Sequence, residues 1–349
     1  MNTIHGGDIY RNQVDLDFSI NINPMGMPKT VIAALHHAVE MAARYPDPSS
    51  ESLKKAVSDM FQKENQWNIP KADILFGSGA SELFLAIIHG IKPRKTIIPI
   101  PSFYGYEYAA KAGEGEIIYY EGDLENHNIL PTLDDKPDLL FLANPNNPTG
   151  KLISRQGLVS LLRCCQERKI TVILDECFAP FCSQDISMIP KTKNFDNLIV
   201  VQAFTKLYSI PGVRLGYLVC ANQMLVETIQ NQLPEWNLSC FAQEAGIACA
   251  SLEGFARQTA AYVKTERTFL EAGLKKAGVT VFPGSANFIL VYSEIPLYQM
   301  LLERKILIRD CENFRGLKKG FYRIAVKTRK ENETLLKIMG EINQTWNTK

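Results

Sequence analysis

The 349-residue sequence has no apolar run of membrane-spanning length, and its start, Met1-Asn2-Thr3-Ile4-His5-Gly6-Gly7-Asp8, lacks the apolar core of a signal peptide. It also lacks an excess of charge of either sign. With 38 basic against 37 acidic side chains, the formal net charge is +1, which offers neither a basic surface for nucleic acid nor an acidic tail. The eight cysteines show no paired CxxC spacing, so neither a disulfide framework nor a zinc site is indicated. Several lie in apolar stretches such as Leu161-Leu162-Arg163-Cys164-Cys165, as buried, reduced thiols do. Internal repeats and low-complexity segments are missing too. These absences predict a cytoplasmic protein without a resident metal.

What is present is ordinary globular material, 46% apolar and 21% charged, long enough for a substantial core and two domains. Short continuous apolar runs recur through the middle: Lys95 to Ile100, Asp138 to Leu142, Ile170 to Leu174 and Leu198 to Val201. Between the second and third, Ser154 to Arg168 has helical spacing. Runs of this kind separated by helices predict an α/β fold with a mostly parallel sheet covered on both faces. Ligands in such sheets bind beyond the C-terminal strand ends, where Asn147, Asp175 and Lys206 would converge. A long helical pattern runs from about Gln243 to Lys276, followed by Val279 to Tyr292 and Ile306 to Ile308. The tail and the N-terminal segment read as a smaller α+β domain. The expected division is 1–38 for an N-terminal arm and part of the small domain, 39–265 for the large domain, and 266–349 for the C-terminal small domain.

Chemistry concentrates around Thr205-Lys206-Leu207-Tyr208-Ser209-Ile210-Pro211-Gly212-Val213-Arg214. A lysine in a strand-following loop can condense with an aldehyde, and an arginine nearby can hold a phosphate. Upstream lie Asn144-Pro145-Asn146-Asn147-Pro148-Thr149-Gly150 and the run Thr171-Val172-Ile173-Leu174-Asp175. In this order the three segments resemble the fold-type I pyridoxal-phosphate enzymes of the aspartate aminotransferase superfamily. The resemblance implies pyridoxal 5'-phosphate as cofactor, bound in a large domain beside a smaller one.

Gly77-Ser78-Gly79-Ala80-Ser81-Glu82-Leu83 follows a strand-like run and opens an apolar helix. Taken alone it is a tight turn. In company with Lys206 the free N–H groups and positive dipole end of that helix assign Ala80 and Ser81 to the cofactor phosphate. The resemblance adds Thr205 and Arg214 to that phosphate, with Thr205 compensating for Ala203, where aminotransferases have a serine. It implies that Phe103 stacks on the pyridine ring, with Tyr106 as the fallback. It sets Asp175 against the ring nitrogen, keeping it protonated. Three residues on, Phe178 replaces a tyrosine common in the family, which leaves Asn147 as partner for the cofactor's phenolic oxygen. Tyr45 matches a tyrosine that reaches the neighbouring subunit's phosphate, so the resemblance implies a homodimer with shared sites.

Arg323, in Phe321-Tyr322-Arg323-Ile324, matches the arginine that grips a substrate carboxylate. Three further stretches resemble the threonine-phosphate decarboxylase branch: His5-Gly6-Gly7 with Asp17 to Pro24, Asp175-Glu176-Cys177-Phe178, and Ile308 to Leu317. That branch supplies aminopropanol phosphate for cobalamin synthesis. A phosphorylated amino acid presents a carboxylate and a dianion, which Arg323 and Arg309 can match. Backbone N–H groups of His5 and Gly6 can close over the phosphate, and Asn21 and Asn147 can fix the remaining polar groups. The implied reaction is decarboxylation of O-phospho-L-threonine, with Lys206 and Asp175 as catalytic residues. A histidinol-phosphate-type aminotransferase using 2-oxoglutarate would employ the same residues. A non-enzymatic cofactor-binding regulator is the remote alternative, disfavoured because a mere binder needs no electron sink. No nucleic-acid or membrane partner is expected.

Overall fold

The computed structural model describes residues 6–122, 124–125 and 129–347. Among them the first strand, β1 (Leu16–Asp17), is followed by α1 (Lys29–Met41) and α2 (Glu51–Asn65). Strand and helix then alternate through β2 (Ile74–Gly77), α3 (Ala80–Ile91), β3 (Lys95–Pro99), α4 (Tyr104–Ala112) and β4 (Glu116–Tyr120). After the single turn α5 (Leu130–Leu133) come β5 (Leu139–Ala143), α6 (Arg155–Glu167), β6 (Thr171–Asp175) and β7 (Leu198–Ala203). The short α7 (Phe204–Leu207) and β8 (Gly216–Val219) complete a seven-stranded sheet of order β2-β8-β7-β6-β5-β3-β4. Strands β3 to β7 run parallel, while β8 is antiparallel to both β7 and β2.

The central strands carry apolar side chains at successive positions, with polar residues confined largely to their ends, because both sheet faces are covered. Leu140, Leu142, Val172, Leu174, Leu198 and Val200 pack with Leu158, Leu161 and Leu162 of α6 on one face. Their strand neighbours Leu139, Phe141, Ile173, Ile199 and Val201 pack on the other face with Phe84 and Ile87 of α3 and Ala109 of α4. Each such side chain removed from water contributes about 1.5–3 kcal/mol before chain entropy is counted. The α6 helix starts where Ser154 Oγ accepts from Gly157 N at 3.0 Å, meeting one of the free donors of its first turn.

The remaining elements are α8 (Gln223–Gln230), α9 (Cys240–Ala250), α10 (Phe255–Lys276), β9 (Thr280–Val281), β10 (Phe288–Tyr292), α11 (Leu297–Leu302), β11 (Ile306–Leu307), β12 (Arg309–Asp310), β13 (Phe321–Ala325) and α12 (Arg329–Asn347). β12-β13-β10-β9 form an antiparallel sheet, and β1 pairs in parallel with β11. Phe18 N donates to Leu307 O at 2.7 Å and Ala325 N donates to Phe18 O at 2.9 Å, so the N-terminal arm is stitched into the C-terminal unit. Phe18 shares that unit's core with Leu270, Ile289, Ile324 and Met339.

One feature differs from the sequence reading. The helical pattern from Gln243 to Lys276 is two helices, α9 and α10, broken at residues 251–254, where Gly254 takes a left-handed φ of 73°. The α10 helix also runs unbroken through residues 265 and 266, with Val263 and Leu270 in different cores. All eight cysteines are free and seven are buried. Among the described residues no helix is long and apolar enough to cross a membrane.

Candidate active site

The C-terminal ends of β5, β6 and β7 open onto a cavity of about 720 Å³, walled on its far side by the N-terminal arm and the β12–β13 connection. Asp175 is the last residue of β6, and Asn147 lies four residues beyond β5. Lys206 sits in the single-turn α7 directly after β7. All three line the cavity, as topology and strand ends alone predict.

The lysine loop is pinned by a residue of the arm. Asn23 N donates to Lys206 O at 3.0 Å and Asn23 Nδ2 to Leu207 O at 2.7 Å, while Ser209 Oγ donates to Asn23 O at 2.9 Å. The Lys206 ammonium is pushed down to about 8, first by burial and then by the charges of Arg323 and Arg214. A minority of neutral amine, far more than an ordinary lysine offers, is therefore present near physiological pH, the form that attacks an aldehyde or takes a proton.

Ala80, Ser81, Thr205 and Arg214 gather at the start of α3. Gly79 holds φ 80°, and a Cβ there would stand 2.5 Å from Arg214 Nη2, so the guanidinium lies against the turn that opens the helix. Gly216 is equally constrained, because its Cβ would lie 2.7 Å from Ala80 N. Among the described residues Arg214 forms no ion pair; its Nη1 donates to Pro211 O at 3.2 Å. Free helix N–H groups, a hydroxyl and an unneutralised guanidinium in one corner make an anion cradle. This donor set fits the phosphate of pyridoxal 5'-phosphate.

Asp175 is buried, with donors on both oxygens. Tyr106 Oη donates to Oδ2 at 2.5 Å, and Cys177 N donates to Oδ1 at 2.8 Å. Burial pushes the carboxyl up, and the Cys177 and Tyr106 hydrogen bonds pull it back. A carboxylate held this way can face a protonated ring nitrogen. Phe103 lines the cavity, whereas Tyr106 is in the core, stacked on Phe141 at 4.9 Å, so the fallback is not available for stacking on a ring in the cavity. Phe178 is buried edge-on against Phe288 at 5.0 Å and brings no hydroxyl.

Arg309 and Arg323 are directly opposed on β12 and β13, and both line the cavity. Arg323 Nη1 donates to Asn147 Oδ1 and Nη2 to Ser19 O at 3.0 Å. With the Asn21 amide turned so that its oxygen faces the guanidinium, it accepts from Nε at 3.2 Å and Nη1 at 3.3 Å. Arg309 Nη2 donates to Asn313 Oδ1 at 2.7 Å. Burial and the neighbouring Arg309 hold Arg323 down at about 10. Two buried guanidiniums side by side at one cavity form a receptor for a molecule with two anionic ends.

Gly6 also lines the cavity, and Gly7 N donates to Ser19 Oγ at 2.7 Å; His5 lies outside the described residues. Tyr45, like the fallback Tyr106, does not line the cavity. It is 81% exposed and rests on Trp236 at 4.6 Å. Sequence reasoning missed Tyr106 as the donor to Asp175 and Asn23 as the clamp on the lysine loop. It also missed the cavity-rim group in which Arg315 donates to Glu107 at 3.2 Å and covers the Tyr119 ring at 4.0 Å. Asn23 and Arg315 both lie in runs already marked by the resemblance, but neither spacing nor residue type predicts their partners.

A family model described as aminotransferase class I and II matches residues 13–339. The threonine-phosphate decarboxylase of Salmonella typhimurium is 34% identical, over 96% of this chain and 95% of its own. The solved histidinol-phosphate aminotransferase from Clostridium acetobutylicum superposes with a TM-score of 0.86 at 31% identity, covering 95% of this chain and 99% of that one. The solved L-threonine-O-3-phosphate decarboxylase from Porphyromonas gingivalis gives 0.80 at 26% identity, covering 96% and 100%. The chain belongs to the aminotransferase class I and II family. It is an enzyme of that fold, and its cofactor is pyridoxal 5'-phosphate.

Proposed function

We propose that this member of the aminotransferase class I and II family decarboxylates O-phospho-L-threonine to (R)-1-aminopropan-2-yl phosphate, a building block for cobalamin synthesis. The observation that carries the reading is the opposed pair Arg309 and Arg323 in one cavity with Lys206, a receptor for a substrate with two separated anions. The similarity to the Salmonella decarboxylase over nearly the whole chain supports it.

In this reading the bound cofactor supplies an electron sink conjugated to the substrate's Cα. Ala80 and Ser81 N–H groups, the Thr205 hydroxyl and Arg214 would hold its phosphate, and Phe103 would pack against its ring. Asp175 holds the proton on its ring nitrogen, and Asn147, whose oxygen is occupied by Arg323, offers its Nδ2 protons to the phenolic oxygen. Arg323 grips the substrate carboxylate while Arg309, with Gly6 and His5 of the arm, takes the substrate phosphate. Holding both ends would fix the torsion at Cα and so favour cleavage of the Cα–carboxylate bond over the Cα–H bond. After CO2 leaves, Lys206 Nζ delivers a proton to Cα, a step suited to an amine whose pKa lies near 8. The enzyme works as a homodimer, with Tyr45 of each subunit serving the other's phosphate cradle. The exposed Met25, Ile32, Val39, Tyr45 and Trp236 support a covered face there.

The test is a product assay on cofactor-loaded protein with O-phospho-L-threonine, run with and without 2-oxoglutarate. CO2 and the aminopropanol phosphate without any keto acid are expected. Glutamate-coupled turnover of histidinol phosphate without CO2 would instead make the protein an aminotransferase.

A further inference from the structure

Tyr106 has no place in the chemistry above, yet its position is unusual for a core aromatic. It lies in the first turn of α4, three residues after Phe103, and is 1% exposed. Its ring stacks on Phe141 of β5 at 4.9 Å and meets Phe84 of α3 edge-on at 5.2 Å. It also meets Phe103, the aromatic wall of the cavity, edge-on at 5.6 Å. The hydroxyl at the far end of this packed ring donates to Asp175 Oδ2 at 2.5 Å.

We propose that Tyr106 is a positioning residue of the active site, whose hydroxyl holds Asp175 ionised and aimed into the cavity while its ring braces Phe103. The proposal rests on the reading of Asp175 as partner of the cofactor's ring nitrogen, which decarboxylase and aminotransferase share. A phenol that burial keeps protonated is a permanent donor here, and a buried carboxylate left with fewer donors becomes a stronger base. With one donor gone, Asp175 would draw the proton off the ring nitrogen, and the ring would accept electrons less well. The groups that bear on Asp175 are Tyr106 from α4, Cys177 just beyond β6, through both its N–H and its thiol, and Lys206 from α7. Of these three residues, Tyr106 is the one whose donor can be removed at one atom while every ring contact stays.

The experiment is Tyr106→Phe, purified with its cofactor and read first without substrate. The pH midpoint of the cofactor's visible band should move up by about one unit, the equivalent of one hydrogen bond to a charged group. The apo-protein should bind the cofactor more weakly, and kcat should fall on the order of tenfold with KM little changed. Fluorinated tyrosine at position 106, a stronger donor of nearly the same shape, should move the midpoint down. It carries the test alone if the phenylalanine protein does not load. An unmoved midpoint, or a KM effect without one in kcat, would overturn the proposal. Wild-type protein that transaminates instead of releasing CO2 would overturn the proposed reaction and leave this test intact, because the band is read without substrate.

Discussion

Arg309 and Arg323 face each other across two strands, each burying a charge that water would otherwise stabilise by several kcal/mol. Such an arrangement costs stability and makes sense where an anionic ligand binds between the two guanidiniums. Arg309→Ala is therefore expected to weaken phosphate-bearing substrates by about 2 kcal/mol, roughly a 30-fold rise in KM, and phosphate-free amino acids far less. Steady-state kinetics with phosphothreonine and threonine measure this, and equal losses would remove Arg309 from the phosphate. At this scale much was legible. Lys206, Asp175 and Asn147 follow apolar strands, and a parallel sheet brings such positions together whatever the details. Tyr106 was not legible in its real role. An aromatic three residues from Phe103 can face cavity or core, and only packing against Phe84 and Phe141 decides which.

Elements that carry the site are held by polar contacts with no sequence signature. Beyond β6, the chain turns back over Glu176, which is fully buried and accepts from Ser187 Oγ at 2.6 Å, Met188 N at 2.7 Å and Gln202 Nε2 at 3.0 Å. Gln202 of β7 in turn accepts from Tyr217 Oη at 2.6 Å. This network ties the end of β6 to β7, the strands that present Asp175 and Lys206. Glu176→Ala would leave three donors without an acceptor and should destabilise the protein by about 2–4 kcal/mol. The loss would appear as a lower urea midpoint at unchanged slope; an unchanged midpoint would show that the network is idle. The parallel strands were readable as apolar runs, but the antiparallel sense of β8 was not, since a strand buried on both faces looks alike in either direction. The β1–β11 pairing joins residues almost 300 apart in sequence, beyond the reach of any local pattern.

At the scale of the whole molecule, the large sheet supplies the proposed cofactor cradle, and the stitched unit of N-terminal arm and C-terminal sheet supplies Arg309 and Arg323, the proposed substrate arginines. The two halves of the site meet where β1 pairs with β11 and Phe18 bonds to Leu307 and Ala325, and where Ser285 N donates to Gly150 O at 2.8 Å and Arg323 to Asn147. The proposed dimer adds Tyr45. If each site borrows that residue, mixing Lys206→Ala protein with Tyr45→Ala protein should give more activity than the sum of the two, since hybrids contain one intact site. Strictly additive activity would mean that each chain works with its own residues alone. The central claim is that Arg309 and Arg323 turn the Cα–carboxylate bond, rather than Cα–H, perpendicular to the ring. It is tested most directly by incubating the loaded enzyme in D2O with carboxyl-labelled O-phospho-L-threonine and no keto acid. The account predicts that the label leaves as CO2 and that the product carries one deuterium at the former Cα. Retention of the label, with deuterium exchanged into the Cα of recovered substrate, would contradict it.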